Sequence, residues 1–165
     1  MTKTKTFIIH LYPHLTPHIH MHSNLANTAS LLWHAYHALP SPLSNVNWAG
    51  FYVLDPSTPD QLILGPFHGK VACQTIRFGR GVVGTAVSRR EVIRVDDVAL
   101  FKGHIACDGA SRSEIVVPIF AGEGDSKKNV IAVVDVDCEL EQGFDELDVL
   151  WLEKLADLIG RSCDW

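Results

Sequence analysis

The chain has 165 residues, of which 47% are apolar and 20% are charged, and its net charge at pH 7 is −5. This length fits one domain that folds without disulfide or metal support, and the net charge gives no indication of binding to nucleic acid or to anionic membrane. The first apolar run, residues 7–9, is too short for a signal-peptide core. We therefore expect a cytoplasmic protein whose four cysteines are catalytic, redox-sensing or inert rather than structural bridges.

The amino-terminal segment, residues 1–22, is expected to be irregular and to precede a folded domain over residues 23–165. It contains five histidines and two prolines. The alternating His18, His20 and His22 could gather a metal ion if the segment were extended, but no carboxylate or cysteine accompanies them. We favour solvated histidines and expect no metal.

The periodicity of the remaining chain predicts an α+β domain. Ser23 or Asn24 can cap a helix that ends near Leu39, before Pro40, and Asp145 can cap a closing helix. Between them the pattern predicts strands and one short helix, over residues 47–54, 61–65, 82–89, 91–95, 115–120 and 130–137. We expect a single layered domain, with a central sheet of roughly six mostly antiparallel strands and the first and last helices on one face.

Residues 96–113 form a loop that is longer than a compact domain usually keeps without a function. Within it, Cys107 lies among small and polar residues, with His104 three positions before it and Asp108 directly after it. Such surroundings favour a thiol that solvent or a ligand can reach and that can ionise. The alternative is a loop thiol without a role.

Acidic residues end the strand at 130–137. Asp135 and Asp137 are two positions apart, so both point to one face of the sheet. If this strand pairs with the preceding one, Glu114 lies at the same end, and one of the crowded carboxyls can hold a proton near neutral pH. Trp48 and Tyr52 share a face of another strand and could wall the pocket. The alternative is an ordinary strand end that surfaces into solvent.

Six segments together resemble the free methionine-(R)-sulfoxide reductases, a family of GAF-domain proteins: residues 48–52, 71–73, 79–82, 103–108, 113–115 and 135–137. The resemblance covers residues 24–160. It implies a GAF-like fold and reduction of free L-methionine (R)-S-oxide to L-methionine. It also implies a homodimer recycled by thioredoxin, and we expect no cofactor.

The family pattern assigns roles to individual residues of this chain. Cys107 corresponds to the catalytic cysteine and Cys73 to a resolving cysteine, so the resemblance implies a disulfide between them. The residues around the substrate correspond to three acids and two aromatic side chains: Glu114, Asp135, Asp137, Trp48 and Tyr52. These residues make chemical sense, because a thiolate that attacks a sulfoxide needs an acid, Glu114 or one of the aspartates, to protonate the departing oxygen.

One departure from the family pattern concerns the third cysteine that many relatives carry, where this chain has Val83. A recycling route through that thiol is closed here. Cys138 and Cys163 match no position of the pattern and are expected to be incidental. The second hypothesis, from a different class, is a GAF-type module that binds a small molecule or senses redox state without turnover.

Overall fold

The structure, a computed structural model, describes residues 20–105, 107–121 and 129–165. Three helices and six strands make up the described fold. Their bounds are Met21–His37 (α1), Val46–Leu54 (β1), Gln61–Gly69 (β2), Thr75–Arg77 (β3), Gly81–Arg89 (α2), Ile93–Val95 (β4), Ser113–Phe120 (β5), Val130–Cys138 (β6) and Glu146–Ser162 (α3). The sequence pattern does not predict β3, and β2 extends four residues beyond its predicted end at residue 65.

The six strands form one antiparallel sheet in the order β3-β2-β1-β6-β5-β4. The central strands β1, β6 and β5 are buried on both faces along most of their length, which explains their almost continuous apolar sequences. Each edge strand has three residues, so neither offers a long edge to another chain. The predicted α+β class and the antiparallel sheet are confirmed.

Helices α1 and α3 pack on the same face of the sheet, as predicted. Their buried apolar side chains join those of β1, β5 and β6 in one core, which includes Leu25, Leu32, Phe51, Val117, Val134, Leu155 and Ile159. Burial of one leucine or isoleucine side chain contributes about 1.5–3 kcal/mol. The core between the two helices and the sheet therefore stabilises the strands whose other face carries the pocket.

The amino end of α1 differs from the predicted capping. The helix begins at Met21 with His20 as its N-cap residue, and no side chain caps it. Asn24, one of the two predicted caps, is buried and donates from Nδ2 to the carbonyl oxygen of Ser162 at 3.2 Å. The Asn24 side chain thus joins the first and last helices instead of capping α1 as the local pattern predicts.

The irregular segment expected over residues 1–22 is described only from residue 20. Met21 and His22 already belong to α1, and residues 1–19 lie outside the described residues. At the other end of the domain the predicted cap of α3 is confirmed, because the Asp145 carboxylate accepts from two backbone N–H groups at the start of the helix. None of the described helices is long and apolar enough to cross a membrane.

The other face of the sheet carries α2. Its buried side chains, among them Val82, Val83 and Val87, pack against Val116 and Val133 of the central strands. At one end of this face, the loops after β2 and before β5 meet the strand residues beneath them and line a pocket. The predicted site residues lie at this end.

Candidate active site

The two loops over the pocket are joined by a disulfide between Cys73 and Cys107. The Cα atoms of the two cysteines lie 5.8 Å apart, and 34 positions separate them in the sequence. Cys107 is exposed and Cys73 is half-buried. The structure therefore contains the pairing that the family resemblance implied, with one of its two sulfur-bearing residues open to solvent.

Strand register places the predicted acids beside the predicted aromatic wall. Asp137 of β6 pairs with Trp48 of β1 on one side and with Glu114 of β5 on the other, so the three residues form a row across the sheet. Asp135, two positions earlier, lies on the same face. The prediction that Glu114 and the two aspartates share one end of the sheet is confirmed.

The three carboxyl groups form a tight cluster in which each contributes an oxygen within 4.8 Å of the others. Glu114 and Asp135 are buried, with 6% and 5% of their surface exposed. Burial, and then the charge of Asp137, raises the pKa of Glu114 well above its ordinary value. Burial, and then the charge of Glu114, does the same to the pKa of Asp135. A hydrogen bond between these two side chains requires a proton on one of them, and the raised pKa values favour that state.

Asp137 and His104 complete the polar part of the pocket. Burial raises the pKa of Asp137 to about 7, although the nearby His104 opposes the shift. His104 Nε2 lies 3.6 Å from Glu114 Oε2, and 15% of the histidine side chain is exposed. At neutral pH Asp137 is therefore near the balance between its neutral and charged forms, and the pKa values of the other two acids are also raised by burial.

An aromatic wall closes one side of the pocket. The Trp48 ring stacks on Tyr52 at 5.9 Å and on Phe67 at 5.2 Å between centroids. The Tyr52 hydroxyl donates to the Cys73 carbonyl oxygen at 3.1 Å, which ties this wall to the disulfide. Burial, followed by the charges of the three acids, raises the pKa of Tyr52, so its phenol stays neutral.

Two buried polar atoms of the pocket residues have no hydrogen-bond partner within the described part of the chain. They are the indole nitrogen of Trp48 and Oδ1 of Asp135. An unpaired buried donor or acceptor costs about 1–3 kcal/mol. A ligand that offers one acceptor and one donor here would remove that cost.

The pocket encloses about 540 Å³, including the space at its open mouth. The predicted Trp48, Tyr52, Cys107 and all three acids line it, whereas Cys73 adjoins it through the disulfide. Val83 also lines it and is 4% exposed. A valine therefore occupies a buried pocket position where many relatives are expected to carry a thiol.

Sequence reasoning assigned no role in the pocket to several residues that line it: Arg80, His104, Asp108 and Ser111. Asp108 and Ser111 both accept hydrogen bonds from Asn47 Nδ2, at 3.2 and 3.0 Å. Lys70 Nζ adds an ion pair to Asp108 at 3.2 Å. These contacts hold the cysteine loop against β1, and the signal that could have revealed them is the polar composition of residues 103–111.

The acid cluster can in principle hold either a metal cation or an organic ammonium group. Hard divalent cations such as Ca²⁺ take carboxylate oxygens, and Glu114, Asp135 and Asp137 offer three of them. The proton shared by Glu114 and Asp135 lowers the charge that a metal ion would meet. Three carboxyl groups that share a proton also suit the single positive charge and the N–H donors of an ammonium group.

Comparison with known proteins gives consistent matches. The family profile described as GAF domain matches residues 26–162. The free methionine-R-sulfoxide reductase of Saccharomyces cerevisiae is 54% identical over 140 residues, which cover 85% of this chain and 74% of that protein. The protein of the same name from Escherichia coli is 46% identical, with coverage of 81% and 72%.

Among solved structures, the chain is similar to the free methionine-R-sulfoxide reductase of Neisseria meningitidis in complex with its substrate. The TM-score is 0.79 and the sequences are 37% identical, and the superposition covers 96% of this chain and 84% of the other. At this level of identity and coverage, the likeness extends over nearly the whole of this chain.

Proposed function

This chain belongs to the free methionine-R-sulfoxide reductases of the GAF-domain family, and from that premise we propose how it works. It reduces free L-methionine (R)-S-oxide to L-methionine in a cycle of thiol, sulfenic acid and disulfide on its own cysteines. The observation that carries this proposal is the disulfide of Cys107 beside a pocket that the buried acids Glu114 and Asp135 also line.

Substrate recognition follows from the two kinds of surface in the pocket. Trp48 and Tyr52 contact the methyl sulfoxide end, where ring stacking has already fixed the orientation of the wall. The α-ammonium group binds the acids, and it supplies a donor to the unpartnered Oδ1 of Asp135. Methionine sulfoxide inside a peptide lacks that ammonium group, since peptide bond formation converts it to a neutral amide. The proposed site therefore favours the free amino acid over methionine sulfoxide within a chain.

The first chemical step transfers the sulfoxide oxygen to Cys107. The Cys107 thiolate attacks the sulfoxide sulfur, and the acid pair of Glu114 and Asp135 gives its proton to the oxygen. The substrate S–O bond breaks and an S–O bond to Cys107 forms, so the products are methionine and Cys107 sulfenic acid. The substrate sulfur gains two electrons and the Cys107 sulfur loses two.

The second step closes the disulfide that is present in the structure. The Cys73 thiolate attacks the Cys107 sulfur, the S–S bond forms, and hydroxide leaves and is protonated to water. A dithiol reductant then donates two electrons and restores both thiols. In keeping with the family resemblance, we propose that thioredoxin reduces the disulfide. We also propose that the active protein is a homodimer.

The experiment is release of methionine by the fully reduced protein, with thioredoxin, its reductase and NADPH as the electron supply. We expect turnover with free methionine-(R)-sulfoxide and none in Cys107→Ser, because serine cannot form the sulfenic acid. Cys163→Ser is the matched control, since that thiol is half-buried beyond α3 and lies outside the pocket. Absence of turnover in the wild-type protein would favour a binding or redox-sensing module, and activity in Cys107→Ser would overturn the assignment of the nucleophile.

A further inference from the structure

His104 connects the buried acid pair to the outside of the pocket. Glu114 and Asp135 have 6% and 5% of their surface exposed, so water reaches them poorly. His104 keeps 15% of its side chain exposed, and its Nε2 lies 3.6 Å from Glu114 Oε2. The imidazole therefore contacts solvent on one side and a buried carboxyl group on the other.

The proposed reduction requires that the Glu114–Asp135 pair regain a proton after each turnover. The inference below therefore rests on the proposed function. Each turnover removes one proton from the Glu114–Asp135 pair and leaves it on the sulfenic oxygen. The pair then carries an additional negative charge beside Asp137, in a site where burial already raises the pKa of all three groups. A proton must return before the next sulfoxide can be reduced.

We propose that His104 returns this proton and carries it from solvent to Glu114. An imidazole can accept a proton on one ring nitrogen and release one from the other near neutral pH. The gap of 3.6 Å to Glu114 is slightly longer than a hydrogen bond, and distances of this kind shorten when a catalytic site is working. His104 acts through the acid pair and is thus a positioning and relay residue, distinct from the nucleophile.

The charged and titratable groups around His104 come from every element that lines the pocket with it. They are Glu114 of β5, Asp135 and Asp137 of β6, Tyr52 of β1, Arg80 before α2, and Asp108 and, in the reduced protein, the Cys107 thiol of its own loop. Arg80 and Asp108 are more exposed than the acid pair, and the ion pair of Asp108 is with Lys70. The contact with Glu114 therefore singles out His104 for the relay.

The test separates the first turnover from later ones, with dithiothreitol as the reductant. In His104→Gln the first methionine should be released from reduced protein at the wild-type rate, because the pair has been protonated at equilibrium. Steady-state turnover should fall by roughly tenfold or more, as expected when a proton-transfer group is lost. The rate at which dithiothreitol reduces the oxidised variant should equal that of wild type, which excludes slow reduction as the cause.

A second variant separates proton transfer from a role in holding the loop. In His104→Ala free imidazole should restore steady-state turnover, because it can occupy the space of the missing ring, whereas His104→Gln should show no such rescue. His22→Gln, at an exposed position of α1, is the matched control and should behave as wild type. Wild-type turnover in the same assay is required by the proposed function itself, so its absence would refute that function and not this relay.

Two results would overturn the relay. One is wild-type steady-state turnover in His104→Gln. The other is an equal loss of first-turnover and steady-state rates in His104→Ala that imidazole does not restore, which would mean that the ring only supports the loop.

Discussion

Asp137 should cost the folded protein stability at neutral and alkaline pH, and Asp137→Asn should remove that cost. The pKa of Asp137 is raised from 3.8 to about 7 in the folded protein, mainly by burial. A folded protein that keeps a proton which the unfolded chain has lost is stabilised by it, so this contribution is fully present below about pH 4. It is lost as the pH rises through about 7.

The magnitude follows from the size of the shift. The difference between about 7 and 3.8 is about 3 pH units, and each unit corresponds to about 1.4 kcal/mol. This gives an upper value of about 4 kcal/mol. Part of the Asp137 surface is exposed to solvent. Because solvent screens the interaction, the expected destabilisation falls to about 2 kcal/mol. Asparagine has nearly the same shape and stays neutral, so it avoids this cost at every pH.

The assay is urea unfolding of the reduced wild-type and Asp137→Asn proteins across the range from acid to mildly alkaline pH. The free energies of unfolding should coincide near pH 4 and then diverge, with the variant more stable by about 2 kcal/mol at pH 8. Glu153→Gln, an exposed position on α3, is the control and should show no such divergence. A difference that is constant with pH, or a variant less stable at pH 8, would refute the reasoning.

Two further predictions concern the catalytic cycle. Cys73→Ser should release about one methionine per subunit and then stall with thioredoxin, because Cys107 sulfenic acid lacks its partner thiol, whereas dithiothreitol should restore turnover. Normal turnover of this variant with thioredoxin, or a peptide map of oxidised wild type that links Cys107 to Cys138 or Cys163, would contradict the resolving role. N-acetylmethionine sulfoxide should be a very poor substrate in the same assay, because a neutral amide cannot replace an ammonium group beside carboxylates. Comparable rates on the two compounds would refute the proposed binding of the amino group.

The sequence by itself determined the local geometry of the site. Alternation along a strand is a property of the extended backbone, so it correctly placed Trp48 and Tyr52 on one face of β1 and Asp135 and Asp137 on one face of β6. The composition around Cys107 likewise identified a polar, accessible loop, and the cysteine is exposed. These inferences needed no knowledge of distant parts of the chain.

The tertiary structure decided which of these faces meet. β1 pairs with β6, far from it in sequence, and this register brings Trp48, Asp137 and Glu114 into one row. The contact of His104 with Glu114 likewise depends on how the cysteine loop docks, and Asn47, 61 positions from Asp108, helps to fix that docking. Asn24 shows the same limit, since its pairing with Ser162 replaced the cap that local pattern predicted. Side-chain direction is set within a few residues, whereas register, loop docking and a shared proton arise from the burial of segments that local sequence does not connect.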